Sequence, residues 1–588
     1  MPVAVIDFEV FAEDWLCVVY DLTNKKDHMI VNDVEKLRAL YEKDYLWIGY
    51  NIREYDSYIF KGLMLGFNPK HINDFIIEQG LKGWQISREF RKVPLTFFDI
   101  MPNPPVGLKT LEGFLGSDIR ETTVPFDIDR KLTEEEIAEV MKYCRHDVEQ
   151  TIEVLNQRME ELNSQLELVK MFDLPKACVG YTKPQLSARA LMAKRGEERK
   201  DEFNFSIPEN LKIVKYREVV DWFKSCRQHA LKQLEYFTAW DDVSKEFYGN
   251  KLEIDVAGVP HIFAWGGLHG ARPQYSGKGY FVNVDVASYY PSMMLEYGYV
   301  SRNISDPEHY RDIYHKRLAY KAAKDKRANP LKIVLNGTYG AMKDRHNPLY
   351  DPLQANNVCV TGQLLLLDLV EQLEPFFDII QSNTDGILVK LRAENEREAN
   401  REYSRLDDIC HEWEQRTKMV LEFEEFSQVI QRDVNNYIIV SKDGKYKSKG
   451  AVVKKLSALD YDLPIVNKAV VECLINGVPC AETVNRCNDL KEFQKIVKVS
   501  RLYKYALHNG LKLNEKTFRV FASKRQEDGA IYKLKSEGKN PEKFANTPES
   551  CFVWNDTVNG EPCPKELDKR WYIDLAEKRV REFLGEIE

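Results

Sequence analysis

The sequence predicts a multidomain protein of mixed α/β and α+β class. Three observations carry that expectation. The chain has 588 residues, 44% hydrophobic and 30% charged, too long for a single core and too apolar for disorder. Apolar strands alternate with amphipathic helices through residues 1–160. Between residues 280 and 450, strands, helices and a tight hairpin follow one another.

Composition narrows the function classes. The opening MPVAVIDFEVF lacks the basic stretch of a signal peptide, and no apolar run is long enough to cross a bilayer. A soluble chain with no membrane partner is expected, in a cytoplasm, or a host's cytoplasm if it is viral. The eleven Cys contain no C-x-x-C pair, which argues against a zinc ribbon or a disulfide scaffold. A formal charge of −8 speaks against wholesale nucleic-acid binding, yet Lys321–Arg327, Lys442–Lys455 and Lys533–Lys543 are basic clusters. On composition alone the last reads as a solvated face.

Val3–Val10 (VAVIDFEV) reads as a buried strand whose Asp7 and Glu9 share one face. Leu46–Tyr50 is a second strand, and after Asn51-Ile52-Arg53-Glu54-Tyr55-Asp56 the chain turns into a helix. Thr133-Glu134-Glu135-Glu136 is a capping box opening a long helix that places Tyr143 and Asp147 one turn apart. Taken alone, Asp56 caps a helix and Asp147 pairs with a neighbour such as Arg145 or Lys142. Convergent carboxylates without Cys or His ligands suit Mg²⁺ or Mn²⁺. Together, Asp-x-Glu, Asn-x-x-x-Tyr-Asp and Tyr-x-x-x-Asp resemble the three motifs of the 3′-5′ proofreading exonucleases of the ribonuclease H-like superfamily. The resemblance implies that Asp7, Glu9, Asp56 and Asp147 hold two metals. It further implies that Tyr143 orients the attacking water and that Asn51 and Tyr55 contact a single-stranded 3′ end. Asp99, Asp127 and Asp129 fit no motif and are taken as structural.

Phe281–Val286 alternates as a strand ending at Asp285, then passes through Ala287-Ser288 and Tyr289-Tyr290-Pro291-Ser292 into a helix. A helix from Pro307 to Asp325 carries Arg317 and Lys321, which serve either phosphate contact or a solvated face. A second helix, starting at Pro330 after an Asn329 N-cap, aligns Lys332, Asn336 and Tyr339 in one stripe. Gln381–Lys390 (QSNTDGILVK) sets Asp385 in a turn where Asn and Gly tolerate positive φ; turn chemistry alone leaves open whether this is only a turn or also a metal site.

Asp285–Ser292 (DVASYYPS) resembles the Asp-x-x-Ser-Leu-Tyr-Pro-Ser segment of family B DNA polymerases, with Tyr289 in place of Leu. Lys332–Gly340 (KIVLNGTYG) resembles their Lys-x-x-x-Asn-Ser-x-Tyr-Gly motif, with Gly337 in the serine position, and the Asp385 turn resembles their Asp-Thr-Asp hairpin, with Asn383 in place of the first aspartate. The order matches the family, downstream of an exonuclease. The resemblance implies a catalytic Asp285, Asp385 and Lys332 with two Mg²⁺ per active site. It also implies nucleotide contacts from Ser288, Tyr289, Tyr290, Arg317, Lys321, Lys332, Asn336 and Tyr339, with Tyr290 as the gate against a ribose 2′-hydroxyl. Gly266 and Gly267 of Phe263–Gly267 resemble the Tyr-x-Gly-Gly link with its tyrosine lost. Tyr437 stands where a Lys-x-Tyr primer contact is found, its lysine replaced by Asn435, and Lys449 keeps a cation for the duplex.

The implied layout is an exonuclease domain over 1–165 and a connecting region over 166–275. A right-hand polymerase follows, with palm at 276–306 and 345–440, fingers at 307–344, and thumb with C-terminal region at 441–588. Its partners are primer-template DNA, dNTPs and replication accessory proteins. Short spacings from Asp285 to Lys332 and from Gly340 to Asn383 leave little room for the two insertions of protein-primed phage polymerases, which predicts a compact phage-type enzyme of viral DNA replication. Residues 456–588 show no assignable chemistry, and Leu502–Lys512 reads either as backbone contact or as an ordinary amphipathic helix. Two rivals remain: an exonuclease whose polymerase half is inactive, and a non-enzymatic DNA-binding replication factor.

Overall fold

The structure is a computed structural model that describes residues 1–586 apart from 198, 237 and 536–538. Mixed α/β content and a multidomain build are both observed. One compact unit comprises Met1–Tyr181, Leu456–Ala469 and Val478–Glu577; the other comprises Thr182–Lys455, Val470–Gly477 and Lys578–Glu588.

The first unit holds a five-stranded sheet: β1 (Val3–Val10), β2 (Trp15–Asp21), β3 (Lys26–Val31), β4 (Leu46–Gly49) and β5 (Phe97–Asp99), ordered β3-β2-β1-β4-β5. β1 is antiparallel to β2 and parallel to β4. Phe8, Trp15, Trp47 and Phe60 lie in the core of this sheet and its helices. The expected capping box is present: the Thr133 side chain accepts from Glu136 N–H and the Glu136 side chain reaches back, opening the Glu134–Met171 helix. The unit's C-terminal part adds a three-stranded sheet (Lys495–Lys498, Thr517–Ala522, Cys551–Val553) and a four-stranded one.

Leu502–Lys512 corrects the helical alternative. Tyr505–His508 and Leu511–Leu513 form an antiparallel hairpin around Asn509 and Gly510, at φ 51° and 71°. Asn-Gly between apolar runs is a strong hairpin signal, and the turn overrode any helical periodicity.

The second unit is built on a nine-stranded sheet. Its strands are β6 (Leu252–Val256), β7 (Val259–Phe263), β8 (Leu268–Ala271), β9 (Tyr275–Val286), β10 (Asp378–Thr384), β11 (Gly386–Lys390), β12 (Leu421–Asp433), β13 (Asn436–Ser441) and β14 (Tyr446–Lys449). The order is β14-β13-β12-β9-β11-β10-β8-β7-β6, so the two aspartate-bearing segments are neighbours. The Pro352–Leu373 helix supplies a run of buried residues.

Two helix boundaries differ from expectation. The first helix of the pair is Pro307–Ala322, ending before Lys324 takes φ 53°. The second begins at Ala328, with Arg327 as a helical N-cap and no side-chain cap bond. Pro330 therefore sits inside the first turn, where backbone N–H groups have no intrahelical acceptor and proline costs nothing. Among the described residues, no helix is long and apolar enough to cross a membrane.

Candidate active sites

In the first unit the structure brings four predicted acids together. Asp7 and Glu9 leave one face of β1, Asp56 opens the Asp56–Met64 helix, and Asp147 sits on the Glu134–Met171 helix. Glu9, Asp56 and Asp147 are buried. Burial, then the Asp147 charge, pushes the Asp7 carboxyl up to about 7. Burial pushes Asp147 up to about 6 against the pull of Lys109. Glu9 and Asp56 are raised well above the usual range by burial and then by Asp7. Each acid feels another's charge, so the cluster favours a bound cation.

The donor set is suited to a hard ion. Asp7 and Glu9 each offer an oxygen close to Cys144 Sγ, but burial holds that thiol protonated, and it donates to the Asp7 carbonyl and Oδ2 at 3.5 Å. The oxygens therefore match Mg²⁺ or Mn²⁺. Tyr143 is also held protonated by burial and by the surrounding acids, which leaves its hydroxyl a hydrogen-bond donor.

Lys109 and Glu112 belong to no sequence motif and were missed. Both lie on the Leu108–Leu115 helix, where Glu112 is 0% exposed. Lys109 Nζ binds the Asp147 carboxylate, lies 3.0 Å from Glu112 Oε1 and sits 4.5 Å above the Tyr143 ring. Asp147 thus pairs with a buried lysine, while Arg145 goes to Asp27 at 2.6 Å and to Glu149. A charged pair three apart in the apolar helix LKTLEGFL was the available signal.

Asp99 is structural: its carboxylate accepts from the backbone N–H of Asn51, Arg53 and Met101. It thereby holds the turn that carries Asn51 at φ 61°. Tyr55 donates to Asn73 Oδ1 at 2.8 Å. Asp127 and Asp129 are exposed.

In the second unit, β9 and β11 pair antiparallel with Asp285 opposite Gly386, which places Asp385, one residue earlier, beside Asp285. A Cβ on Gly386 would stand 1.8 Å from Asp285 Oδ1, so this glycine is required for close approach. The positive φ of the turn falls on Thr384, at 60°, rather than on Asn383 or Gly386. Burial, then the Asp385 charge, pushes Asp285 up to about 6, although Asn283 Nδ2 donates to it at 2.7 Å. Burial also raises Asp385. A cavity of about 190 Å³ opens on Asp285, Asn383, Asp385, Tyr437 and Lys447. Asn383 lines the same cavity, beside Tyr437.

Around this pair, Arg317 Nη1 donates to Ser288 Oγ at 2.7 Å, and Lys321 pairs with Glu422 at 2.8 Å. Tyr290 stacks on Tyr339 with centroids 4.4 Å apart. Lys332 and Asn336 share the exposed face of the Ala328–Met342 helix. Tyr289 departs from its expected nucleotide role: it is 5% exposed, and its hydroxyl donates to the Gly362 carbonyl at 2.5 Å. Its ring is a core side chain, which explains how it stands in a leucine position. Gly337 has a packing reason as well, since a Cβ there would meet Ser187 Oγ at 2.3 Å. Gly267 lies under the hairpin, a Cβ being 3.0 Å from Thr384 Cγ2, whereas one on Gly266 would meet nothing. Tyr437 pairs with Lys449 across β13 and β14. The Lys442–Lys455 cluster is partly neutralised: Lys442 pairs with Glu425, Lys447 with Glu424 and Lys445 with Asp443.

Comparison with known proteins finds DNA polymerases among the similar chains. The chain is 28% identical over 200 residues to DNA polymerase 1 of Saccharolobus solfataricus, covering 33% of this chain and 21% of that protein. The resemblance to family B DNA polymerases holds. DNA polymerase 1 of Sulfurisphaera ohwakuensis is 24% identical over 200 residues, covering 34% of this chain and 21% of its own. That of Sulfolobus acidocaldarius is 24% identical over 199 residues, covering 33% and 21%. The chain thus spans about a fifth of the length of the curated relatives it matches. The family B DNA polymerase structure from Pyrobaculum calidifontis aligns over 100% of this chain and 78% of its own at 13% identity, with a TM-score of 0.43. No protein-family model matches the sequence.

Proposed function

We propose that the chain is a template-directed DNA polymerase that adds dNTPs to a primer 3′ end, with a 3′-5′ proofreading exonuclease in its first unit. The observation that carries the reading is the β9–β11 pairing, which sets Asp285 beside Asp385 at the mouth of a cavity. In this reading the first unit's sheet is the ribonuclease H-like nuclease, the nine-stranded sheet is the palm, and the Pro307–Ala322 and Ala328–Met342 helices are the fingers. Of residues 441–588, Tyr446–Lys449 goes with the palm sheet as β14, and the rest stays assigned to the thumb and C-terminal region.

Asp285 and Asp385 in one unit, and Asp7, Glu9, Asp56 and Asp147 in the other, would hold Mg²⁺ or Mn²⁺, which supplies charge neutralisation and a lowered pKa for the attacking oxygen. The chain's own residues position the reactants. Lys332 binds the triphosphate and stabilises its developing charge. Arg317 keeps Ser288 in place beside Asp285. Tyr290, braced by Tyr339, lies under the sugar and excludes a 2′-hydroxyl. In the nuclease half, Tyr143 orients the attacking water, and Asn51 and Tyr55 guide the frayed 3′ end. Primer-template DNA is the substrate and accessory replication proteins are partners; the short spacings support a compact phage-type enzyme.

The neutral Asn383 favours one rival, a nuclease whose polymerase half only holds DNA. Primer extension with and without dNTPs, repeated for Asp385→Ala and Asp7→Ala, separates the two. Extension by the parent and its loss in Asp385→Ala are expected, with degradation lost only in Asp7→Ala. No extension by the parent overturns the polymerase reading. Degradation persisting in Asp7→Ala overturns the nuclease.

A further inference from the structure

A second, larger cavity of about 780 Å³ lies wholly within the second unit, away from the Asp285–Asp385 pair. Its volume is within the usual range of ligand sites, roughly 300–1,000 Å³. Trp240, Tyr248 and Trp265 form aromatic walls. Trp265 is backed by Phe247, with centroids 3.8 Å apart, and by Phe223 at 5.8 Å, so its ring is fixed before any ligand arrives. Trp265 Nε1 is buried with no acceptor among the described residues.

The charge on the walls is mostly positive. Arg199, Lys200, Lys245 and Lys343 line the cavity with Arg345. Of its two acids, Glu202 accepts from Ser244 Oγ at 3.0 Å, and Asp241 is faced by Arg345 at 4.0 Å. Lys200 lies 5.9 Å above the Trp240 ring. Cations interleaved with aromatic faces suit a nucleotide: the phosphate meets the cations and the base stacks, whatever its identity.

The cavity's position names the source of that nucleotide. Lys343 Nζ sits 4.5 Å above the Tyr339 ring and donates to the Trp265 carbonyl at 3.4 Å, and Tyr339 is stacked on Tyr290. One cationic side chain thus joins the cavity to the aromatic pair under the incoming sugar. We propose that this cavity holds unpaired template nucleotides before they reach the templating position. The inference deepens the polymerase reading and rests on it.

The test uses the full chain with primer-template duplexes carrying an unpaired template tail of one or of four nucleotides. Binding is read by fluorescence anisotropy with chelator present, and primer extension is run in parallel with Mg²⁺. The longer tail should bind about tenfold tighter, the effect of roughly one stacked base. Trp240→Ala, and separately Lys200→Glu on the exposed rim, should cut that gain below about twofold while extension of the one-nucleotide duplex stays unchanged; the melting temperature stays unchanged in Lys200→Glu, whereas Trp240→Ala also loses its packing on Phe203. An undiminished gain in both variants, or no gain in a parent that extends primers, overturns the cavity's assignment. A gain without extension overturns the polymerase reading alone, and neither gain nor extension overturns both. Quenching of tryptophan fluorescence by dATP without DNA, lost in Trp240→Ala, would assign the cavity to free nucleotide and overturn the template assignment.

Discussion

At the residue scale, the acids of the first unit share more negative charge than Lys109 neutralises. The carboxyls of Asp7 and Asp147 are raised to about 7 and about 6, so between the unfolded value near 4 and those values the folded chain binds protons more tightly than the unfolded one. Stability of the metal-free protein should therefore fall as pH rises through that window. Denaturation in chelator at about pH 5 and about pH 8 measures it; Asp7→Asn should flatten the difference, and Mg²⁺ should restore stability at the higher pH. Lys109→Met leaves Asp147 and Glu112 buried without their cation, a loss of about 3 kcal/mol. A lower melting temperature, partly rescued by Mg²⁺, is expected, together with loss of degradation. That Asp7, Glu9, Asp56 and Asp147 come together was expected from their places on strand and helix and from the motif resemblance. Lys109 was not, because a lysine serves Asp147 only once the Leu108–Leu115 helix packs against the Glu134–Met171 helix.

At the element scale, the β10–β11 hairpin is a turn that also sets Asp385 beside Asp285 at the mouth of a cavity. Its strands, its turn and the place of Asp385 in that turn followed from the pattern QSNTDGILVK. The conformational roles did not: Thr384 takes the left-handed residue's place, and Gly386 is needed because β9 brings Asp285 against it. Gly386→Ala should abolish extension and leave degradation intact, which primer assays on the purified variant check. Asn383 lines the same cavity as Asp285 and Asp385, so Asn383→Asp adds a third carboxylate beside two already raised in pKa. It should retain extension and shift its Mg²⁺ and Mn²⁺ dependence, read from metal titrations. If it confers extension on an inert parent, Asn383 marks a lost polymerase. The helix pair shows the limit of boundary signals: Asn329-Pro330 looks like a cap, yet the helix starts at Ala328.

At the scale of the whole molecule, the first unit is assembled from segments far apart in the sequence, Met1–Tyr181 with Leu456–Ala469 and Val478–Glu577. Arg519, 0% exposed, donates to the carbonyls of Gly113, Ser117, Trp554 and Asp556 and to Gln494 Oε1. It therefore ties the strand Thr517–Ala522 to the helix that carries Lys109. Arg519→Ala leaves several buried carbonyls unpaired and should cost about 3 kcal/mol or more, lowering nuclease activity with stability; thermal melts alongside degradation assays check it. Residues 456–588 carried no motif, and the hairpin at Asn509-Gly510 was hidden in a run that also reads as a helix. By itself the sequence determined the chemistry-bearing carboxylates, their order and their strands and helices, because ligand identity and strand period are local properties. Tertiary structure alone decided which cation meets Asp147, why Gly337 and Gly386 have no side chain, and that Tyr289 is core. It also decided that Arg519 joins distant segments, since each of these depends on the approach of chain that is remote in sequence.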